Sequence, residues 1–385
     1  MISSSCPLFR TLEYRVRSQL QVGWVIGDQL DRKPWVREAA LTGGGVGLAR
    51  YLWLARYVER QQDFGVRYSI YRPWRRYDAV ILLKSMGNQA LNLLQKLKQQ
   101  GVPCIFDINV NYFEPGGKEY YSNMLPTEHQ RHNAVEMTQS ASAVIADSEF
   151  IAERSREYNQ RTLWVSDNVS MDLVPGYQPA RLGKRLRLLW SGESVKLFEL
   201  LAAEEALLAV RDKVELVLVT NDLAAMQRLN PEIRERLESL LSALSVRIVK
   251  FRSIEHLFQV YSEGGVFISP RFLDSPYNLG HTEWKIALAM ACGRIALCSP
   301  VPSYVTVAKR AGGQGIRISD SHAAWSQAFD QVLGDSFSWE EEEMAARSVV
   351  ERFYSTREVA SIHTAFVRKV IDNREGVDSL EIQAH

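Results

Sequence analysis

Thr282 and Lys285 stand where a polar loop gives way to a small-residue, apolar helical pattern. Thr282 is a candidate N-cap, and the first N–H groups behind such a cap are free to receive an anion. Lys285 then falls in the first turn, where an ammonium opposes the helix dipole unless a negative ligand docks beside it. A lysine there can also run its stem out to solvent, so spacing alone leaves both readings open. The preceding loop supplies Arg271, Asp274, Tyr277, Asn278 and His281. A second step, Gly192 to Lys196, follows another apolar run, and Arg252 follows a third. Glycine lets a backbone approach a phosphate closely, and the cations would neutralise it. Earlier in the chain, Gly43, Gly44 and Gly45 precede a helical pattern but lack the Gly-Lys-Ser/Thr of a P-loop. Asp107 and Asn109 close a hydrophobic run, and His129 heads a helical one. Asp107, His129 and His281 are candidates for proton transfer, with structural roles equally open. The seven histidines show no paired ligand spacing, so no metal site is expected.

These residues need elements to position them. Strand-like runs at 22–27, 67–71, 79–83, 103–108, 143–146 and 162–165 alternate with helical patterns at 48–61, 88–100, 128–140 and 149–158. Most of the runs are continuously hydrophobic, which predicts strands covered on both faces of a parallel sheet. Pro175, Gly176, Pro179 and Gly183 interrupt the pattern and suggest a linker. The alternation then restarts, with strands at 186–190, 215–219, 246–251, 266–269, 295–298 and 315–318. Helices are expected at 197–210, 232–244, 254–263, 282–292 and 323–333, and one helical tail at 339–372. The fold class predicted is α/β, with two doubly wound domains whose ligands sit beyond the carboxyl ends of the strands.

The segment from Ser269 to Gly293 carries a specific likeness. A strand, an Asp- and Asn-containing loop, Lys285, then Ala289-Met290-Ala291-Cys292-Gly293 and the strand Ile295 to Ser299 follow in order. This run resembles the donor-site signature of GT-B glycosyltransferases, especially retaining family 4 and its polysaccharide-assembly relatives. Residues 188–196 resemble the first strand and loop of that family's second domain. The polar strand end from Phe106 to Phe113, the step from Ala146 to Ile151 and the boundary stretch Asp167 to Ser170 fit its first half. Two departures stand out. Leu288 replaces the family's ribose-holding Glu, and Glu193 replaces an Arg that often follows the glycine.

The resemblance implies a first, acceptor-side domain at 1–175, a nucleotide-sugar domain at 185–350, and a helix at 351–385 returning to the first. It implies a nucleotide diphosphate sugar as co-substrate, no resident cofactor and no metal. Donor binding is expected from Gly192, Lys196, Arg252, Arg271, Asp274, Tyr277, Asn278, Thr282 and Lys285. Acceptor positioning falls to Gly43, Gly44, Gly45 and Asn109, and catalysis to Lys285, Asp107 and His129. A glycan or lipid-linked acceptor and a retaining course follow from the same likeness. Its rivals are a sugar-nucleotide epimerase, which needs carboxylates and a His around the sugar, and a non-catalytic relative, favoured by Leu288 and Glu193.

Composition narrows the partners. With 46 Lys and Arg against 45 Asp and Glu, the chain lacks the basic excess of a nucleic-acid binder. Arginine is nevertheless dense between residues 50 and 76, beside Trp53 and Trp74, and this stretch is a candidate for peripheral contact with an anionic membrane or acceptor. Cys6, Cys104, Cys292 and Cys298 form no disulfide framework, no signal-peptide core opens the chain, and no apolar run approaches a membrane span of about 20 residues. A cytoplasmic protein, peripheral at the inner membrane face, is expected.

Overall fold

The computed structural model describes residues 19–27, 48–179 and 183–372. Six strands form the first sheet: β1 (Leu20–Ile26), β2 (Val66–Ile70), β3 (Ala79–Leu83), β4 (Cys104–Ile108), β5 (Ala143–Ala146) and β6 (Thr162–Trp164). Their spatial order is β2-β1-β3-β4-β5-β6, and every neighbouring pair is parallel. The second sheet holds β7 (Leu186–Gly192), β8 (Val214–Thr220), β9 (Val246–Lys250), β10 (Val266–Ser269), β11 (Ile295–Cys298) and β12 (Ile316–Ile318). It is ordered β12-β11-β10-β7-β8-β9 and is also parallel throughout. The central strands β3, β4, β5, β10 and β11 are buried along their whole length, as continuous apolar runs require. Each sheet reverses its order once, between β1 and β3 and between β7 and β10. Such switch points open a crevice above the strand ends.

The connections between halves differ from the sequence pattern in two places. The tail is not one helix: Trp339–Phe353 ends, and Thr356–Asp372 begins after a break at Tyr354 and Ser355. At the break Val169 N–H donates to the Tyr354 carbonyl at 2.7 Å, and Thr356 N–H donates to the Val169 carbonyl at 2.9 Å. The first helix puts Ala346, Val349 and Val350 into the second half's core, while the other puts Val359, Phe366 and Val367 against Trp24 and Tyr68 of the first.

The second difference is a strap. The chain leaving β4 carries Tyr120, Tyr121 and Met124 out of the first half and into a core cluster of the second. Tyr120 stacks on both Phe198 and Phe272, with ring centroids 4.5 and 4.8 Å away, and its hydroxyl donates to Asp274 at 2.5 Å. Backbone bonds from Ser122 to Arg228 and from Asn230 to Tyr120 fasten the strap to its host. Gly117 lets it approach: at φ +109 a Cβ would lie 2.8 Å from the Ser275 backbone.

Candidate active site

A cavity of about 530 Å³ opens between the two sheets. Its second-half wall is built by Ser191 and Gly192 at the end of β7, Glu193 and Lys196 after it, Arg271, Tyr277 and His281 after β10, and Thr282, Trp284, Lys285 and Leu288 around the following helix. Lys84, Asn109, Val110, Asp147 and Asp167 form the opposite wall. Both walls therefore come from strand ends at or near the switch points.

The second-half wall is cationic. Lys285 is half-buried at the start of the helix Trp284–Ala291. Its Nζ lies over the Trp190 ring, 5.8 Å from the centroid, and a Cβ at Gly192 would stand 2.9 Å from it. Glycine at 192 is thus the residue that leaves room for the ammonium. Among the described residues Lys285 has no ion-pair partner. Burial, followed by the charges of Arg271 and Lys196, pushes its pKa down to about 7. Lys196 donates to the Tyr277 hydroxyl at 3.3 Å. Arg271 is buried and ion-paired with Glu199. His281 packs edge-on to Tyr277 at 5.1 Å, and its Nε2 has no hydrogen-bond partner among the described residues. Burial, then Arg271, Lys196 and Lys285, hold it well below the usual imidazole range, so the ring is neutral at pH 7.

The opposite wall is acidic. Arg50, fully buried on the wide helical turn Leu48–Ala55, reaches Asp167 at 3.4 Å and Asp107 at 3.8 Å and donates to the Val165 carbonyl. Asn109 donates to Asp107 at 3.2 Å, and Thr282 donates across the cleft to Asp167 at 3.1 Å. Burial raises the pKa of Asp107 to about 6 and raises Asp167 and, further, Asp147. Glu283, also fully buried, is raised to about 8 by the same cause. Lys84, the last member of the wall, holds φ at +54, a left-handed conformation that a non-glycine residue adopts at some cost.

The expected site residues separate accordingly. Gly192, Lys196, Arg271, Tyr277, Thr282, Lys285 and Asn109 line the cavity. Thr282 does so without capping the helix, because the helix starts two residues later and the hydroxyl is engaged by Asp167. Asp107 lies behind the wall, in the Arg50 network. Asp274 is exposed and holds the strap through Tyr120. Asn278 is buried and donates to the Phe272 carbonyl at 2.7 Å, shaping the loop. Arg252 is exposed outside the lining, and His129 is exposed in the first turn of the helix Glu128–Ser140. Gly43, Gly44 and Gly45 lie outside the described residues. Lys84, Asp147 and Asp167 were not singled out for chemistry. Their signal was positional, since Lys84 and Asp147 each follow the last residue of a buried strand.

In the arginine-dense stretch, Arg50 and Trp53 are buried, while Arg67, Arg72, Arg75 and Arg76 are exposed and Trp74 is 77% exposed. No described helix is long and apolar enough to cross a membrane. Among the described residues no group of three or more His, Cys, Asp or Glu side chains is arranged to hold a metal ion.

No protein-family model and no curated protein matches the chain. Solved structures do. The Anabaena protein HepE, in complex with UDP and glucose, is 12% identical with a TM-score of 0.64, covering 91% of this chain and 100% of that one. A glycosyltransferase from Rickettsia africae is 12% identical at 0.58, covering 92% and 99%. Sucrose-phosphate synthase from Thermosynechococcus elongatus is 16% identical at 0.56, covering 85% and 78%. The chain has the GT-B fold.

Proposed function

We propose that this protein transfers a glycosyl unit from a nucleotide diphosphate sugar to a hydroxyl acceptor. The observation that carries the reading is Lys285, a cation held over Gly192 beside Lys196 with no carboxylate partner among the described residues. Lys196 and Arg271 act on Lys285 through their charges, and Lys285 sits in the first turn of its helix, an arrangement that is unfavourable until an anion arrives. A diphosphate supplies that anion, and HepE, with the same fold, binds UDP and glucose. Charge grows on the departing diphosphate as the C1–O bond breaks, so Lys285 and Lys196 stabilise the transition state more than the ground state. No resident cofactor is needed for this step, and the second-half cations are present to meet the diphosphate charge. A hexosyl donor, a glycan or lipid-linked acceptor and retention at the anomeric carbon are the finer reading, supported by the family likeness of residues 269–293.

Lys285→Ala is expected to lower the turnover of the preferred nucleotide sugar on the order of 10²-fold or more. A panel of UDP-, ADP-, GDP- and dTDP-sugars, read by release of free nucleotide diphosphate, measures this. Wild-type turnover in the variant overturns the donor site. The carboxylates and neutral His281 that an epimerase needs do share the cavity, so the panel is also read for epimer formation. Neither product would favour a non-catalytic relative.

The exposed Arg72, Trp74, Arg75 and Arg76 would bring the protein to an anionic, lipid-linked acceptor at a cytoplasmic membrane face. Co-sedimentation with phosphatidylserine vesicles at low salt should fall several-fold in Trp74→Ala with Arg75→Ala. Equal sedimentation of variant and wild type removes the membrane from the proposal.

A further inference from the structure

Buried carboxyls cluster in and behind the acidic wall. Asp107, Asp147, Asp167 and Glu283 all act on the single buried guanidinium of Arg50. Lys84 is the other cation whose charge reaches the three aspartates. Arg310 is a further cation, acting on Glu283, and burial pushes all four carboxyls up, which favours their protonated, donor-capable forms.

Its members are not equally occupied. Asp107 accepts from Asn109, and Asp167 accepts from Thr282. Asp147 is 1% exposed, belongs to the cavity wall, and has an Oδ1 with no hydrogen-bond partner among the described residues. The neighbouring Asn109, at 9% exposure on the same wall, likewise has an unpartnered Oδ1. A buried carboxylate and a buried amide oxygen without donors are costly unless a ligand completes them. The facing wall carries Lys196, Arg271 and Lys285, the cations that suit a ligand's phosphates.

We propose that Asp147 and Asn109 are a hydroxyl-recognition subsite for the transferred sugar, so that the first half holds the sugar while the second holds its diphosphate. Asp167 and Arg50 act as positioning residues behind it. The inference rests on the glycosyl-transfer reading and adds the group that selects the sugar. Hydroxyls are the matching chemistry: each brings a donor to an orphaned acceptor without adding charge to an already charged wall. A ligand held in this way bridges both walls, whereas a bare diphosphate touches only one.

The test compares UDP, ADP, GDP and dTDP with their glucose conjugates by calorimetry on the full chain. In wild type the conjugate of the preferred nucleotide should bind more tightly than the bare diphosphate. Asp147→Ala should weaken the conjugate at least 10-fold and leave the diphosphate within twofold. Asp147→Asn, which keeps the shape and the fold, should weaken the conjugate by a smaller factor. Unchanged conjugate affinity in both variants, with the diphosphate still bound, overturns the subsite alone. Equal weakening of conjugate and diphosphate also overturns it, since the effect then lies outside sugar recognition. A wild-type protein that binds none of the four diphosphates defeats the donor site first, a failure distinct from the other two.

Discussion

A lysine pushed down to about 7 changes what binding does to protons. A lysine with a value near 7 is only partly protonated around neutrality, less so toward pH 8 and more so toward pH 6. A diphosphate restores the charged form, so its arrival is expected to take up a proton at Lys285. The uptake should be a fraction of a proton around neutrality, growing toward pH 8 and shrinking toward pH 6. Calorimetric titrations with UDP in buffers of different ionisation enthalpy measure it. Lys285→Met should lose this contribution, which separates it from the proton equilibrium of the UDP phosphate itself. The effect on stability has the opposite sense from that of a paired lysine. The folded value lies below the ordinary 10.5, so the unfolded chain binds more protons between the two, and the penalty from Lys285 is largest below pH 7 and fades as pH rises. Replacing Lys285 therefore disturbs the ligand and spares the fold. Arg50 is the reverse case: its removal would strand buried carboxylates, a change that typically costs about 3–5 kcal/mol.

At the level of elements, the strands were the most legible part of the sequence. Most are short β-rich apolar runs bounded by polar or glycine residues, and in the central strands burial on both faces leaves little else for such a run to do. Helices were legible where an apolar stripe recurs, and less so where tertiary contacts decide. The helix Pro302–Arg310 opens with Pro at its first position and is rich in Val, Thr and Tyr, so its local signal is weak. Thr282 reads as a cap, but Asp167, more than a hundred residues away, claims its hydroxyl. The tail reads as one helix because nothing local announces that Val169 will pair with its middle. The same division explains the site. Its cationic wall is drawn largely from one contiguous stretch, Arg271 to Leu288, and periodicity and charge exposed it. Its acidic wall takes isolated residues from the ends of separate strands, brought together by strand order alone. Arg50 misled for a related reason: amid six other arginines it resembles a solvated face, and only its burial on the wide helical turn shows the partner carboxylates.

At the scale of the molecule, the strap makes the two halves interdependent. Phe198 and Phe272 are covered by Tyr120, a residue of the other half, and Tyr121 and Met124 complete the same cluster. Residues 185–353, which leave out the helix that packs on the first half, should therefore present an uncovered aromatic surface when expressed alone. They are expected to bind a hydrophobic dye several-fold more strongly than the full chain, and a peptide of residues 113–126 should reduce that binding. A dye-silent, monomeric fragment would show that the second half completes its own core. Synthesis on the ribosome imposes the matching delay in the other direction. Tyr120 is made before either aromatic partner, and Phe272 follows it by roughly 150 residues, about 8–30 s at ordinary elongation rates. Throughout that interval the first half can finish its sheet, but its strap remains a sticky loop with nowhere to dock. Lys118 and Glu119, charged residues immediately before the two tyrosines, stand where a gatekeeper against premature association is needed.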